Sequence, residues 1–316
     1  MPTPLYKKLF AEHWNRFYIE TRSGSLILLY PMLREVAIAD LQPSVISCRD
    51  MLSEIHIICL RQGEDIDNSK QFFEIIDNIM STIKRDHLPS YLRFLEDAFN
   101  YMDKYGQTNS MKEAICQIRE ILKDESVGTV SDRAGLLNCE TYMEPDLNKC
   151  IELEKQAIQM LGQIDQSTAY LAANLHGNLA LYYKDQQKLD LAKIHMEQGI
   201  YLFENYPSEG KHDLMIQYSN YSVLLTDLGE PQKGYEILEK MARLVRETNS
   251  DQCLDYADIQ QRMAYIALVM LDRKKAEAHF RKCMEIYSVA YEDSPNKILE
   301  IQSNIRKAMG FLTASV

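Results

Sequence analysis

Glycine and proline are scarce, at 12 and 9 in 316 residues. Strand-and-turn architectures use more of both, so the shortage favours long helices joined by short loops. Long apolar runs are missing too. The most apolar stretch, Leu26 to Tyr30, is far too short to span a bilayer. No extended apolar core follows the basic pair Lys7-Lys8, as a signal peptide would require. Basic residues are outnumbered 35 to 46 by acidic ones, for a formal net charge of −11. That balance argues against a general nucleic-acid binder, which needs clustered Lys and Arg to neutralise phosphates. It suits basic partners. The seven cysteines are odd in number, contain no C-x-x-C pair and fall mostly at apolar helix positions. Reduced, buried thiols in a cytoplasmic protein fit this better than a disulfide framework.

Catalytic signatures are also missing. No G-x-x-x-x-G-K-[ST] or G-x-G-x-x-G loop offers a phosphate cradle, and there is no H-E-x-x-H or G-x-S-x-G. The histidines His13, His56, His87, His176, His195, His212 and His279 are scattered. His176 and His195 approach each other across a helix pair, but no cysteine is placed to complete a metal site. Carboxylate pairs such as Glu64-Asp65 and Glu292-Asp293 sit at turns, where solvated charge is the expected role. The expectation is a chain that is not an enzyme and that holds no metal or cofactor.

What is present is a repeat. In Asn178-Leu-Ala-Leu-Tyr-Tyr, residues Leu179, Ala180 and Tyr183 share one helix face. A short turn follows, and Leu189 and Ala192 open a second helix that carries Met196, Gly199 and Ile200. The plan recurs with Tyr221, Ser222 and Leu225, then Gly229, then Gly234, Leu238 and Met241. It recurs again with Met263, Ala264 and Ala267, then Ala276, Phe280 and Cys283. Ala180, Ser222 and Ala264 follow one another at equal steps, and Ala192, Gly234 and Ala276 keep the same step. Two small-residue slots on one period mark places where paired helices approach closely. One step upstream, Cys150 fills the second slot, while Asn138 stands in the first. The spacing therefore predicts four 42-residue repeats over 131–294 and a capping helix, Lys297 to Phe311, within 295–316. Two divergent helix pairs are expected over 43–130: Val45–Arg61 with Ser69–Lys84, turning at Gly63, and Leu88–Tyr105 with Ser110–Leu122. Residues 1–42 read as two further helices, Pro4–Thr21 and Ser25–Ala39. The apolar stripe from Leu26 to Leu33 fits either a buried inter-helix face or a surface for a partner or a second copy.

Residues 168–290 resemble tetratricopeptide repeats of the 42-residue kind found in kinesin light chains. The matching pieces are Asn178-Leu-Ala-Leu-Tyr-Tyr, the Gly229 turn, Lys275-Ala-Glu-Ala-His-Phe and Tyr291-Glu-Asp-Ser-Pro. The chain departs from the family at Gln187, where the turn usually has Gly, and at Gly234, where Ala is usual. The resemblance implies an all-α, right-handed superhelical solenoid of antiparallel helix pairs with a concave binding surface. It also implies that Asn178 and Asn220, in a slot where the family uses Asn to bond a peptide backbone, contact an extended ligand. An amide supplies both donor and acceptor, so it pairs with a peptide unit of any sequence. Asn174, Lys184, Gln217, Asp227, Asp258, Gln261, Arg262 and Tyr265 are candidates for the same surface. The alternative is that the asparagines tie neighbouring helices together.

The function expected from this architecture is a scaffold or adaptor that binds a protein or peptide. The partner is neither nucleic acid nor membrane, and homo-oligomers stay open. A second expectation is a peptide-responsive regulatory sensor, or the sensor arm of a larger signalling ATPase or transcription regulator. Fold-level likeness supports either without deciding between them.

Overall fold

The computed structural model describes residues 18–20, 26–28, 43–60, 69–206, 211–248 and 250–311. Among them run a short hairpin and thirteen helices. The hairpin overturns part of the expectation for the first forty residues. β1 (Tyr18–Glu20) and β2 (Leu26–Leu28) pair antiparallel, with Tyr18 opposite Leu28 and Glu20 opposite Leu26. Tyr and Ile suit a pleated strand. The rest of the two helices expected there lies outside the described residues, as does the Gly63 turn. Chain contacts divide the molecule into two compact units, residues 1–143 and 144–316.

Unit 1 holds α1 (Arg49–Leu60), α2 (Ser69–Thr82), α3 (Leu88–Lys104), α4 (Thr108–Ile121) and α5 (Val130–Thr141). α3 and α4 form the expected pair, but α1 packs on α3 rather than on α2. The side chains of α3 explain this. Asp97 takes His56 of α1 at 2.6 Å, and Arg93 reaches the other ring nitrogen at 3.0 Å. Tyr101 of the same helix receives the ring of Phe72 from α2 edge-on, at 4.8 Å between centroids. Buried Tyr91 donates its hydroxyl to Gln117 of α4 at 2.6 Å. α5 opens on a capping box in which Thr129 and Asp132 satisfy each other's backbone N–H groups.

Unit 2 holds α6 (Leu147–Leu161), α7 (Ala169–Asp185), α8 (Leu189–Asn205), α9 (Lys211–Asp227), α10 (Pro231–Thr248), α11 (Leu254–Val269), α12 (Arg273–Ala290) and α13 (Pro295–Phe311). α7 packs on α8, α9 on α10 and α11 on α12, and each second helix also packs on the next first helix. The second helices begin at Leu147, Leu189, Pro231 and Arg273, a constant step of 42. The division at 143/144 leaves α5, with Asn138, in unit 1 and α6, with Cys150, in unit 2. α13 lays Ile301, Ile305, Ala308 and Met309 on the core of the last pair and keeps its other face open, as suits a helix covering an end.

Both small-residue slots are buried. At Gly234 the fit is closest, for a Cβ there would lie 2.6 Å from the Ser222 backbone oxygen. That is why this repeat departs from the usual Ala. The turns keep the step as well. Gln187 (φ 60°), Gly229 (φ 76°) and Leu271 (φ 59°) stand one repeat apart and are all left-handed. Each is followed by an N–H bonded back five residues: Lys188 to Tyr183, Glu230 to Leu225 and Asp272 to Ala267, at 2.8–2.9 Å. This 6→1 bond, with a left-handed residue before it, closes the helix end and reverses the chain. Gly106 and Gln107 end α3 in the same way, off the strict step.

Candidate functional site

The repeat step carries more than the core slots. On α7 the residues Asn174, Asn178, Leu181 and Asp185 are spaced 4, 3 and 4 apart, which places them on one helix face. One step on, α9 presents Ile216, Asn220, Val223 and Asp227, and α11 presents Asp258, Arg262, Tyr265 and Val269. All twelve are open to solvent or half-buried, while their helix neighbours Leu179, Leu224 and Ala264 are fully buried. The result is a lattice of three helices by four rows. One row is polar (Asn178, Asn220, Arg262), and the next is apolar (Leu181, Val223, Tyr265).

The predicted residues fare differently within it. The Asn220 side chain is half-buried and makes no hydrogen bond among the described residues. Asn178 occupies the matching place on α7. Asn174 lies close to the Tyr170 hydroxyl, which donates to Asp213 of α9 at 2.6 Å. Lys184 and Asp227 meet each other at 3.2 Å, neutralising the middle of the face. Asp258 and Gln261 both take the Tyr287 hydroxyl of α12, so they tie a helix pair together. Tyr265 stays open on one side and stands edge-on to Phe280 on the other, at 5.4 Å. Arg262 is exposed and has no ion pair among the described residues.

Gln217 is 6% exposed and lies across α7 where Gly177 leaves room, since a Cβ on Gly177 would fall 1.8 Å from the Gln217 amide nitrogen. Its Oε1 is buried and accepts no hydrogen bond among the described residues. Gln217 is therefore part of the floor between α7 and α9 rather than of the open face. Sequence reasoning missed Leu181, Asp185, Ile216, Val223 and Val269. Moving one repeat step back from Tyr265, Asp227 and Asp258 finds Val223, Asp185 and Ile216.

His176 and His195 meet as expected, Nδ1 to Nδ1 at 3.0 Å with stacked rings. Burial, and then the neighbouring ring, pushes His176 down to about 4, so the pair is neutral near pH 7. The matching slots of the last pair hold Gln260 and His279, bonded at 2.7 Å. Among the described residues no group of three or more His, Cys, Asp or Glu is placed to hold a metal ion. Nor is any helix there long and apolar enough to cross a membrane. All seven cysteines are free thiols; Cys59, Cys139, Cys150 and Cys283 are buried, and Cys116 is exposed. Burial pushes Cys283 up to about 12, which makes it a poor nucleophile.

Several solved structures share this arrangement of helix pairs. BtubC (BKLC) from P. vanneervenii aligns with a TM-score of 0.53 at 14% identity, over 76% of this chain and 92% of that one. A Podosopora anserina putative kinesin light chain with nearly identical tetratricopeptide-like repeats aligns with 0.51 at 14% identity, over 65% and 98%. The fold is that of tetratricopeptide-like repeats. The apo form of RapI shares it with a TM-score of 0.58 at 15% identity, over 82% of this chain and 70% of that one. At such identities the likeness speaks for the tetratricopeptide-like architecture alone. No family model matches the chain, and no curated protein sequence does.

Proposed function

We propose that unit 2 is a non-catalytic scaffold that binds an extended peptide, or an extended segment of a partner protein, across α7, α9 and α11. Asn220 carries the reading. It stands at the centre of the lattice with an amide that no described residue engages, beside an apolar row that water covers poorly. An amide left half-buried and unused stabilises nothing in the free protein, whereas a peptide backbone offers it both a donor and an acceptor. A regulatory sensor would use the same face to take its peptide and pass the change to a partner; the lattice supports the binding step.

The test uses a random decapeptide display library panned on the protein. Asn178→Ala and Asn220→Ala should each weaken binding of the selected peptides by about 1–3 kcal/mol. The melting temperature of Asn220→Ala should barely move. If the asparagines only tie helices together, melting temperatures fall and affinity per folded molecule stays level.

A further inference from the structure

The lattice changes character from one side to the other. Its α7 column is polar but for Leu181 and ends in Asp185, which is exposed and without an ion pair among the described residues. Asp185 is the last residue of α7, where the helix dipole already points its negative end, so the carboxylate is unfavourably placed. The middle column closes on the neutralised pair of Lys184 and Asp227. The α11 column ends in Tyr265 and Val269, both exposed, and the chain continues into Leu271, 76% exposed. Leu271 is disfavoured twice over. It holds a large apolar side chain in water, and it does so at φ 59°, in the slot where the preceding repeat uses Gly229. A left-handed backbone strains any residue with a Cβ, and strain of this kind is often kept for binding. Arg262 stands in the same column and repels a cation there, while Asp258 is turned toward Tyr287.

We propose that the ligand is an extended peptide with a cationic group over Asp185 and an apolar side chain against Tyr265, Val269 and Leu271. This deepens the peptide-binding reading above and rests on it. α7 and α11 are the outer columns of the lattice, so the cationic and apolar positions lie on either side of the peptide segment that crosses α9. Between them, side chains on one face of the peptide meet the apolar row of Leu181, Val223 and Tyr265.

The decapeptide library tests this on the parent, Leu271→Gly and Asp185→Lys. On the parent, the enriched sequences should pair Lys or Arg with an apolar residue at a constant separation along the peptide. On Leu271→Gly the apolar preference should vanish while the cation preference remains, and parent-selected peptides should bind about ten-fold more weakly. That variant relieves the left-handed strain, so its melting temperature should match or exceed the parent's, and misfolding cannot account for the loss. On Asp185→Lys the cation preference should give way to an acidic one. The same enriched pattern on all three proteins overturns the proposal. Should Asn220→Ala retain parent affinity for the selected peptides, or should nothing be enriched on the parent, the peptide-binding reading falls and takes this one with it.

Discussion

At the scale of single residues, the repeat is held by slots that tolerate very little. Gly234→Ala should lower stability by about 1–3 kcal/mol, because the added methyl meets a backbone oxygen, which cannot swing aside as a flexible side chain would. Urea midpoints decide it, and an unchanged midpoint would mean that α9 and α10 can part at no cost. The left-handed turns predict the reverse sign. Gln187→Gly removes the Cβ strain of about 1–2 kcal/mol and gives back part of it through glycine's extra freedom when unfolded. A net gain of about 0.5–1 kcal/mol is expected, read from the same titration. The left-handed Gln187 follows from the sequence, since it stands one repeat before Gly229. The fate of Asp258 and Gln261 does not. Both lie on an exposed helix face by periodicity, and only the reach of Tyr287 from α12 shows that they are engaged.

At the scale of helices, the inter-helix polar pair couples packing to pH. His176 titrates near 4 when folded and near 6.5 when free. Between those values the unfolded chain binds more protons, so this contribution is fully present above about pH 6.5 and is lost as pH falls toward 4. It amounts to at most about 3 kcal/mol. His176→Gln copies the Gln260–His279 pair of the last repeat, keeps a hydrogen-bond partner for His195 and removes one titrating ring. The stability difference between pH 7 and pH 5 should shrink in that variant; an unchanged difference would place the acid sensitivity elsewhere. Helices of this unit were legible because small residues recur at a fixed step and large ones fill the grooves between. α1 was not, because what holds it to α3 is a pairing of His56 with Asp97, distant along the chain and outside any period. The hairpin was missed for a related reason. Three-residue strands are too short for an alternation to stand out from a helical reading.

At the scale of the whole molecule, the two units should answer pH in opposite directions. In unit 1, burial and the neighbouring Asp132 and Asp97 carboxylates push Glu96 up to about 8 from an ordinary value of 4.5. The folded form then binds the extra proton. Its stabilising effect is complete below about pH 4.5 and is lost as pH rises through about 8, the reverse of the His176 case. Hydrogen exchange at pH 5.5 and pH 8, corrected for intrinsic rates, should show α3 and α5 better protected at the lower value. α7 and α8 should be better protected at the higher one. Protection that shifts the same way in both units would contradict this assignment.

The seat of Gln217 on Gly177 binds the inheritance of two positions together. A lineage that gains any side chain at 177 must shorten or re-aim the residue at 217, since the two would occupy the same space. A lineage that shortens 217 first opens a gap and frees 177 to vary. Substitutions at these sites, on different helices and far apart in the chain, should therefore be coupled, a side chain at 177 coming with a shorter or re-aimed one at 217. Descendants of this sequence that keep the long amide in its present seat should keep the glycine too.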